Sequence, residues 1–171
     1  MKASELSTAD LFRTSIGFMG VPWASSAKGS KAAILGVPFD CGTHAFRIGS
    51  RDGPRSIREQ SRLVRAFESE RADYDIRAAL KLVDCGDVDV TPSRIEVAFE
   101  RIEEAAWRIA SDGATVVGFG GDGSISVPLV RAASRKWPNL CVLHVDSHTD
   151  CHPIHHYTYG ISKFAYADPI N

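Results

Sequence analysis

The sequence lacks a surplus of either charge: 20 Lys and Arg against 21 Asp and Glu leave a formal net charge of -1. Without a broad basic field there is nothing to hold a polyanion, which excludes nucleic acid as a partner class. Long apolar runs are also missing. Stretches such as 32–39 fall far short of the roughly 20 residues that cross a bilayer, so a soluble chain with no membrane partner is expected. The N-terminus carries only Lys2 ahead of mixed polar sequence, without the basic region and clean apolar core of a secretory signal, and this implies a cytoplasmic protein. The cysteines Cys41, Cys85, Cys141 and Cys151 include no CxxC pair and no dense framework, so they read as free buried thiols. Cys151 stands apart because it adjoins an acidic and histidine-rich stretch. Internal repeats and low-complexity tracts are absent.

What is present fits a single domain over residues 1–171: the length is ordinary for one domain, and 44% of residues are hydrophobic, enough for a sizeable core. Residues 1–31 read as an N-terminal arm, with "ASSAKGSK" as a surface excursion. From there strand and helix patterns alternate. "KAAILGVPFD" is a buried strand, and "GPRSIREQSRLVRAFESE" is a helix opened by Pro54 with Ile57, Leu63, Val64 and Phe67 on its apolar face. "LKLVDCGDVDV" holds a second strand. "SRIEVAFERIEEAAWRIASDG" is a helix with Ser93 and Glu96 as a capping box and Gly113 as its stop. "ATVVGFGG" is a third strand, "SISVPLVRAASRKW" a further helix that tolerates Pro128 in its first turn, and "NLCVLHVDSH" a fourth strand. This alternation predicts a three-layer α/β/α fold around a mostly parallel sheet, with ligands gathered at the carboxyl ends of its strands.

Two motifs fall at such ends, "GFGGDGS" (118–124) and "DSHTD" (146–150). The first is open to two readings: a glycine loop that approaches a nucleotide phosphate, as in some kinases, or a metal-site motif that has lost a ligand. In the second, Asp146, His148 and Asp150 lie two apart, and an extended backbone turns such residues to one side. Two carboxylates flanking an imidazole form a mixed O/N donor set suited to Mn, Fe, Ni, Co or Zn, and burying them together without a cation would be costly. His144 reads as a core histidine. His152, His155 and His156 read either as further ligands or proton carriers, or as a solvated loop.

"ILGVPFDCGT", "RIGSRDGPRSIR", "DCGDVDV", "VVGFGGDGSISVPLVRA" and "LHVDSHTD" follow one another in an order that resembles the ureohydrolases, the arginase and agmatinase family, over nearly the whole chain. The resemblance implies a binuclear centre of Mn2+ or Ni2+, a small guanidino-type substrate, and hydrolysis that releases urea and an amine. By position, Asp146 bridges both ions, His148 and Asp150 each bind one, and Asp146 and His148 count as catalytic.

Three departures accompany the likeness. The family pattern Gly-Gly-Asp-His-Ser carries a ligand histidine where this chain has Gly123. The usual His-Gly of an active-site loop is Tyr159-Gly160, and the Asp-x-Asp pair of a later family strand has no counterpart before Asn171. The chain is therefore expected to be the N-terminal part of an arginase-like fold. It should act as an incomplete, non-catalytic accessory subunit, a homo- or hetero-oligomer with an active paralogue. A rearranged but active amidinohydrolase and a purely structural assembly module are the competing readings.

Overall fold

The computed structural model describes residues 17–40, 48–65, 73–91 and 93–147. The apolar run after Lys31 forms its central strand, β1 (Ala32–Val37), buried at all six positions. β2 (Val83–Asp87) pairs along one side and β3 (Thr115–Gly120) along the other, in the order β2-β1-β3. Both pairings are parallel, with Ala33 opposite Val83 and Val116. A strand flanked on both edges and covered on both faces needs no polar alternation, hence its unbroken apolar composition.

Alternate residues of β1 serve two different cores. Ala33, Leu35 and Val37 face a cluster with Phe99, Ile102 and Ile109, while Ala32 and Ile34 face Val21 and Leu82. The first core is closed by α3 (Ile95–Ser111) and α4 (Ser126–Ser134), and α1 (Gly53–Ser61) packs against β1, β3 and the turn Phe18–Gly20. The three-layer α/β/α arrangement is thus the one expected.

On α3, Ala98, Phe99, Ile102, Ala106, Ile109 and Ala110 are buried, at the three- and four-residue spacing of one helical face. The expected capping box is not how this helix starts. It begins at Ile95 behind Arg94, with no side-chain cap. Its end does match expectation: the Gly113 amide donates to Ala110 O at 3.1 Å and the Ala114 amide to Ile109 O at 3.3 Å, the paired bonds of a Schellman stop.

Other expectations are refined or corrected. Ile57, Leu63 and Val64 of the first predicted helix are exposed, and its buried residues are Pro54, Arg58 and Ser61; Phe67 lies outside the described residues. The helix is buried through an arginine because a buried carboxylate faces it. The stretch 24–31 lies largely at the surface as expected, but it is pinned at one point: Ala27 is fully buried, and Asp112 accepts from Ser26 Oγ at 2.7 Å and from the Ala27 amide at 3.0 Å. A short helix, α2 (Ile76–Leu80), was not anticipated; Asp75 caps it by accepting from the Arg77 amide.

A further correction concerns "NLCVLHVDSH". Among the described residues the sheet has three strands, and 141–145 pairs with none of them. The Leu140 amide donates to Trp137 O in a turn ahead of the segment, and Leu143 and Val145 are each 89% exposed. A strand is stabilised by an edge and by cover on its faces, and this segment has neither here. It forms instead one wall of an apolar cavity of about 370 Å³ whose other walls include Val116, Leu129 and Trp137. Cys141 is exposed rather than buried, and burial pushes the half-buried Cys85 thiol up. No helix among the described residues is long and apolar enough to cross a membrane.

Candidate metal centre at the carboxyl edge of the sheet

Because all three strands are parallel, their carboxyl ends share one edge, where β1 leads into Phe39 and Asp40, β2 ends at Asp87 and β3 runs into Gly121 and Asp122. Gly121 has φ +85°, and a Cβ there would sit 2.5 Å from Phe39 O and 2.6 Å from Val37 O, so the turn approaches β1 as only a glycine can. Asp122 fixes the next step. Its Oδ1 accepts from the Ser124 amide at 3.0 Å and from Ser124 Oγ at 2.5 Å. Gly123 then opens the short 3-10 turn Gly123–Ile125 that leads into α4, and it is exposed.

Three amides of this turn are already engaged. Gly121 N–H donates to Ser50 O at 3.2 Å, Asp122 N–H to Phe39 O at 2.8 Å, and Ser124 N–H to Asp122. A phosphate cradle needs such amides to point outward, and here a wall of carbonyl oxygens stands beside Gly121 instead. The nucleotide reading of the glycine motif therefore loses its physical basis.

Asp40 is the most strongly held acid of the edge. Its side chain is fully buried and accepts from Arg51 Nε at 2.8 Å, Arg51 Nη2 at 2.5 Å and the Gly49 amide at 2.6 Å. The Arg51 guanidinium, helped by the Gly49 and Arg51 amides and opposed by burial, holds the Asp40 carboxyl at about 2, against 3.8 ordinarily. A carboxyl lowered in this way stabilises the fold by about 2 kcal/mol above the ordinary carboxylate pKa, and that stabilisation is lost as pH falls from about 4 through 2. Urea unfolding at pH 7, 4 and 2.5 should therefore show Asp40→Asn well below the native chain at pH 7, with the gap narrowed to about a third at pH 2.5. A gap of equal size at all three would refute this.

Of the residues the sequence marks as ligands, only Asp146 is described. It is exposed, with Oδ2 3.8 Å from His144 Nε2 and Oδ1 3.4 Å from Ser147 Oγ. His144, expected in the core, is instead exposed on the same side of the segment as Asp146, as the two-residue spacing dictates. His148, Asp150, Cys151, His152, His155, His156, Tyr159 and Gly160 lie outside the described residues. Among the described residues no three His, Cys, Asp or Glu side chains gather where they could hold a metal ion.

Residues 30–163 match the sequence profile of the Arginase family. The chain belongs to that family. It is 35% identical over 147 residues to an agmatinase of Photorhabdus laumondii, covering 84% of this chain and 47% of the relative. A human mitochondrial guanidino acid hydrolase is 36% identical over 132 residues, covering 77% and 37%. Among solved structures, the proclavaminate amidino hydrolase of Streptomyces clavuligerus superposes with a TM-score of 0.80 at 26% identity, covering 92% of this chain and 52% of that one. The formiminoglutamase of Trypanosoma cruzi, solved with Mn2+, gives 0.67 at 31% identity, covering 80% and 46%. The chain thus spans about half the length, or less, of the relatives it matches.

Membership in the Arginase family makes the donor chemistry at this edge a direct test of the implied metal. Two divalent cations together call for about ten or more O and N donors, part of them water. Of the residues the sequence marks as ligands, the described ones bring one carboxylate, Asp146, with the imidazole of His144 beside it. Gly123 has no side-chain donor atom, and Asp122 Oδ1 accepts from Ser124. By themselves the described residues do not fit a two-metal centre.

The sequence reading missed the ion pairs that brace this edge. Arg58 donates to Asp84 Oδ2 at 2.8 Å and Oδ1 at 2.9 Å, to Asp87 Oδ1 at 2.5 Å and to Gly86 O at 3.2 Å, with its guanidinium 5.1 Å from the Trp23 ring centre. The available signal was the pair of acids in "VDCGD" on an otherwise apolar strand, which calls for a buried cation.

Proposed function

We propose that this chain is the N-terminal portion of a ureohydrolase unit and serves as a non-catalytic accessory subunit to a metal-replete relative. That relative would cleave the C–N bond of a guanidino or amidino compound. The substrate class is supported by relatives named agmatinase and guanidino acid hydrolase. In such chemistry bound divalent ions supply an activated water for attack on the guanidinium carbon. This chain's own contribution at the edge would be Asp146, with His148 and Asp150 beside it in sequence.

The observation that carries the reading is the turn after β3. It projects Gly123 outward with no donor atom, and its aspartate carboxylate is turned onto Ser124. Gly123 therefore delivers no ligand to a cation at the place where the family motif carries a histidine. Mn2+ or Ni2+ should therefore bind weakly and at low stoichiometry, which leaves association with a complete subunit as the route to function.

The test is metal quantification across a size-exclusion profile of the protein purified from its own cells, after exposure to Mn(II) and Ni(II). The chain is expected to carry less than one ion and to elute with a longer ureohydrolase chain identified by mass spectrometry. Two firmly held ions per chain, or a chain eluting alone, would overturn the reading. The first of those outcomes would favour a rearranged, active centre.

A further inference from the structure

We propose that Asp40 and Arg51 are a positioning pair: they set the Gly120–Gly123 turn at the end of β3 and so govern what this edge can bind, without touching the bound group themselves. The inference deepens the reading of this edge as the family's metal-binding site and rests on it.

Both residues stand next to a carbonyl that holds the turn. Asp40 immediately follows Phe39, whose carbonyl accepts from the Asp122 amide at 2.8 Å, and Arg51 immediately follows Ser50, whose carbonyl accepts from the Gly121 amide at 3.2 Å. The side chains of Asp40 and Arg51 tie these two backbone segments to each other, through Nε at 2.8 Å and Nη2 at 2.5 Å to Asp40 Oδ1. The Gly49 and Arg51 amides add two bonds to Oδ2, at 2.6 and 3.2 Å. One ion pair therefore fixes the spacing of the two carbonyls that hold consecutive amides of the turn.

Other features of the turn point the same way. Gly121 lies against Phe39 O and Val37 O with no room for a Cβ, so a small displacement of Phe39 must move the turn. Asp122 transmits the position onward by binding the Ser124 amide and hydroxyl, which sets where Gly123 emerges. A surface pair would not do this. Asp40 is fully buried, and a bidentate guanidinium fixes direction as well as distance.

The experiment uses the 171-residue chain in four forms: native, Asp40→Asn, Arg51→Lys, and the control Asp89→Asn, which removes the exposed Asp89–Arg101 pair. Arg51→Lys keeps the charge while losing the fork, and so remains informative if Asp40→Asn folds poorly. Amide hydrogen exchange is read residue by residue and compared with the global loss of stability measured by urea. In Asp40→Asn and Arg51→Lys, the Gly121 and Asp122 amides should exchange at least tenfold faster than the global loss accounts for, while Ile34 and Ile102 follow it. The control should change neither. Gly121 and Asp122 changes no larger than the global loss would overturn the proposal, since the pair would then be a general brace.

A second readout goes beyond stability. Gly123→His places a donor on the turn, and visible absorption of added Co(II) reports its coordination. Adding Arg51→Lys should weaken that Co(II) binding about tenfold with a changed absorption band. Unchanged affinity and band would overturn the positioning role. If Gly123→His takes up no Co(II), the reading of the edge as a metal site fails, and the exchange data alone decide for or against the pair.

Discussion

Replacing Arg58 with Met should cost about 3–5 kcal/mol, the expected range when one partner of a buried ion pair is removed and the other is left behind. Asp84 is fully buried, and its carboxylate binds Arg58 through both oxygens as well as the Phe18 and Gly86 amides. Those two amides would remain, but they cannot replace a neutralising guanidinium. Burial works against the charge of Arg58, yet its hydrogen bonds to Asp84 and Asp87 outweigh that and raise its pKa, so the guanidinium keeps its charge. For a domain whose whole stability is of the order of 5–15 kcal/mol, such a loss is a large share. Urea unfolding should show it, Arg58→Lys should recover less than half because lysine cannot form the fork, and the double variant with Asp84→Asn should lose less than the sum of the singles. A loss under about 1 kcal/mol for Arg58→Met would show that the pair is not what anchors α1 and the Phe18 turn to β2.

Gly121→Ala should rank next, at about 3 kcal/mol or more. Two effects add: a backbone at φ +85° that alanine adopts only with strain, and a methyl placed 2.5–2.6 Å from two main-chain oxygens that cannot swing aside. Gly29 separates them. It has φ +84° with nothing within 4 Å of where a methyl would lie, so Gly29→Ala carries the conformational part alone, about 1–2 kcal/mol. In thermal melts, roughly 6–12 °C should be lost at position 121 and about half of that or less at position 29. Equal losses would mean that the approach of the turn to β1 is looser than its geometry implies.

The alternation of strands and helices was legible because its signals are local. The apolar run of β1, the spaced apolar residues of α3 and the glycine that stops α3 each lie within one element. The buried face of α1 was not legible, since Arg58 is buried by virtue of Asp84 and Asp87, and such a partner is invisible in a local pattern. Apolar composition at 141–145 likewise spoke for a strand, but pairing depends on an edge that composition does not supply. At the site, Gly123 could be recognised as a missing donor from its motif. Asp40 and Arg51 escaped notice as a pair because their importance lies in which carbonyls they set side by side.

The central position of β1 has a further consequence, for the order in which the chain can assemble as it is made. Ala32 finds its neighbour in β3 only at Thr115, more than eighty residues later in synthesis. At roughly 5–20 residues per second, that strand waits about 4–16 seconds after leaving the ribosome before its second edge partner exists. A six-residue stretch destined for complete burial is exposed throughout that interval, with one edge or both unpaired. Nascent chains paused between β2 and β3 should therefore be the form most readily captured by chaperones that bind short apolar segments, and capture should fall away once α4 has emerged to close the core.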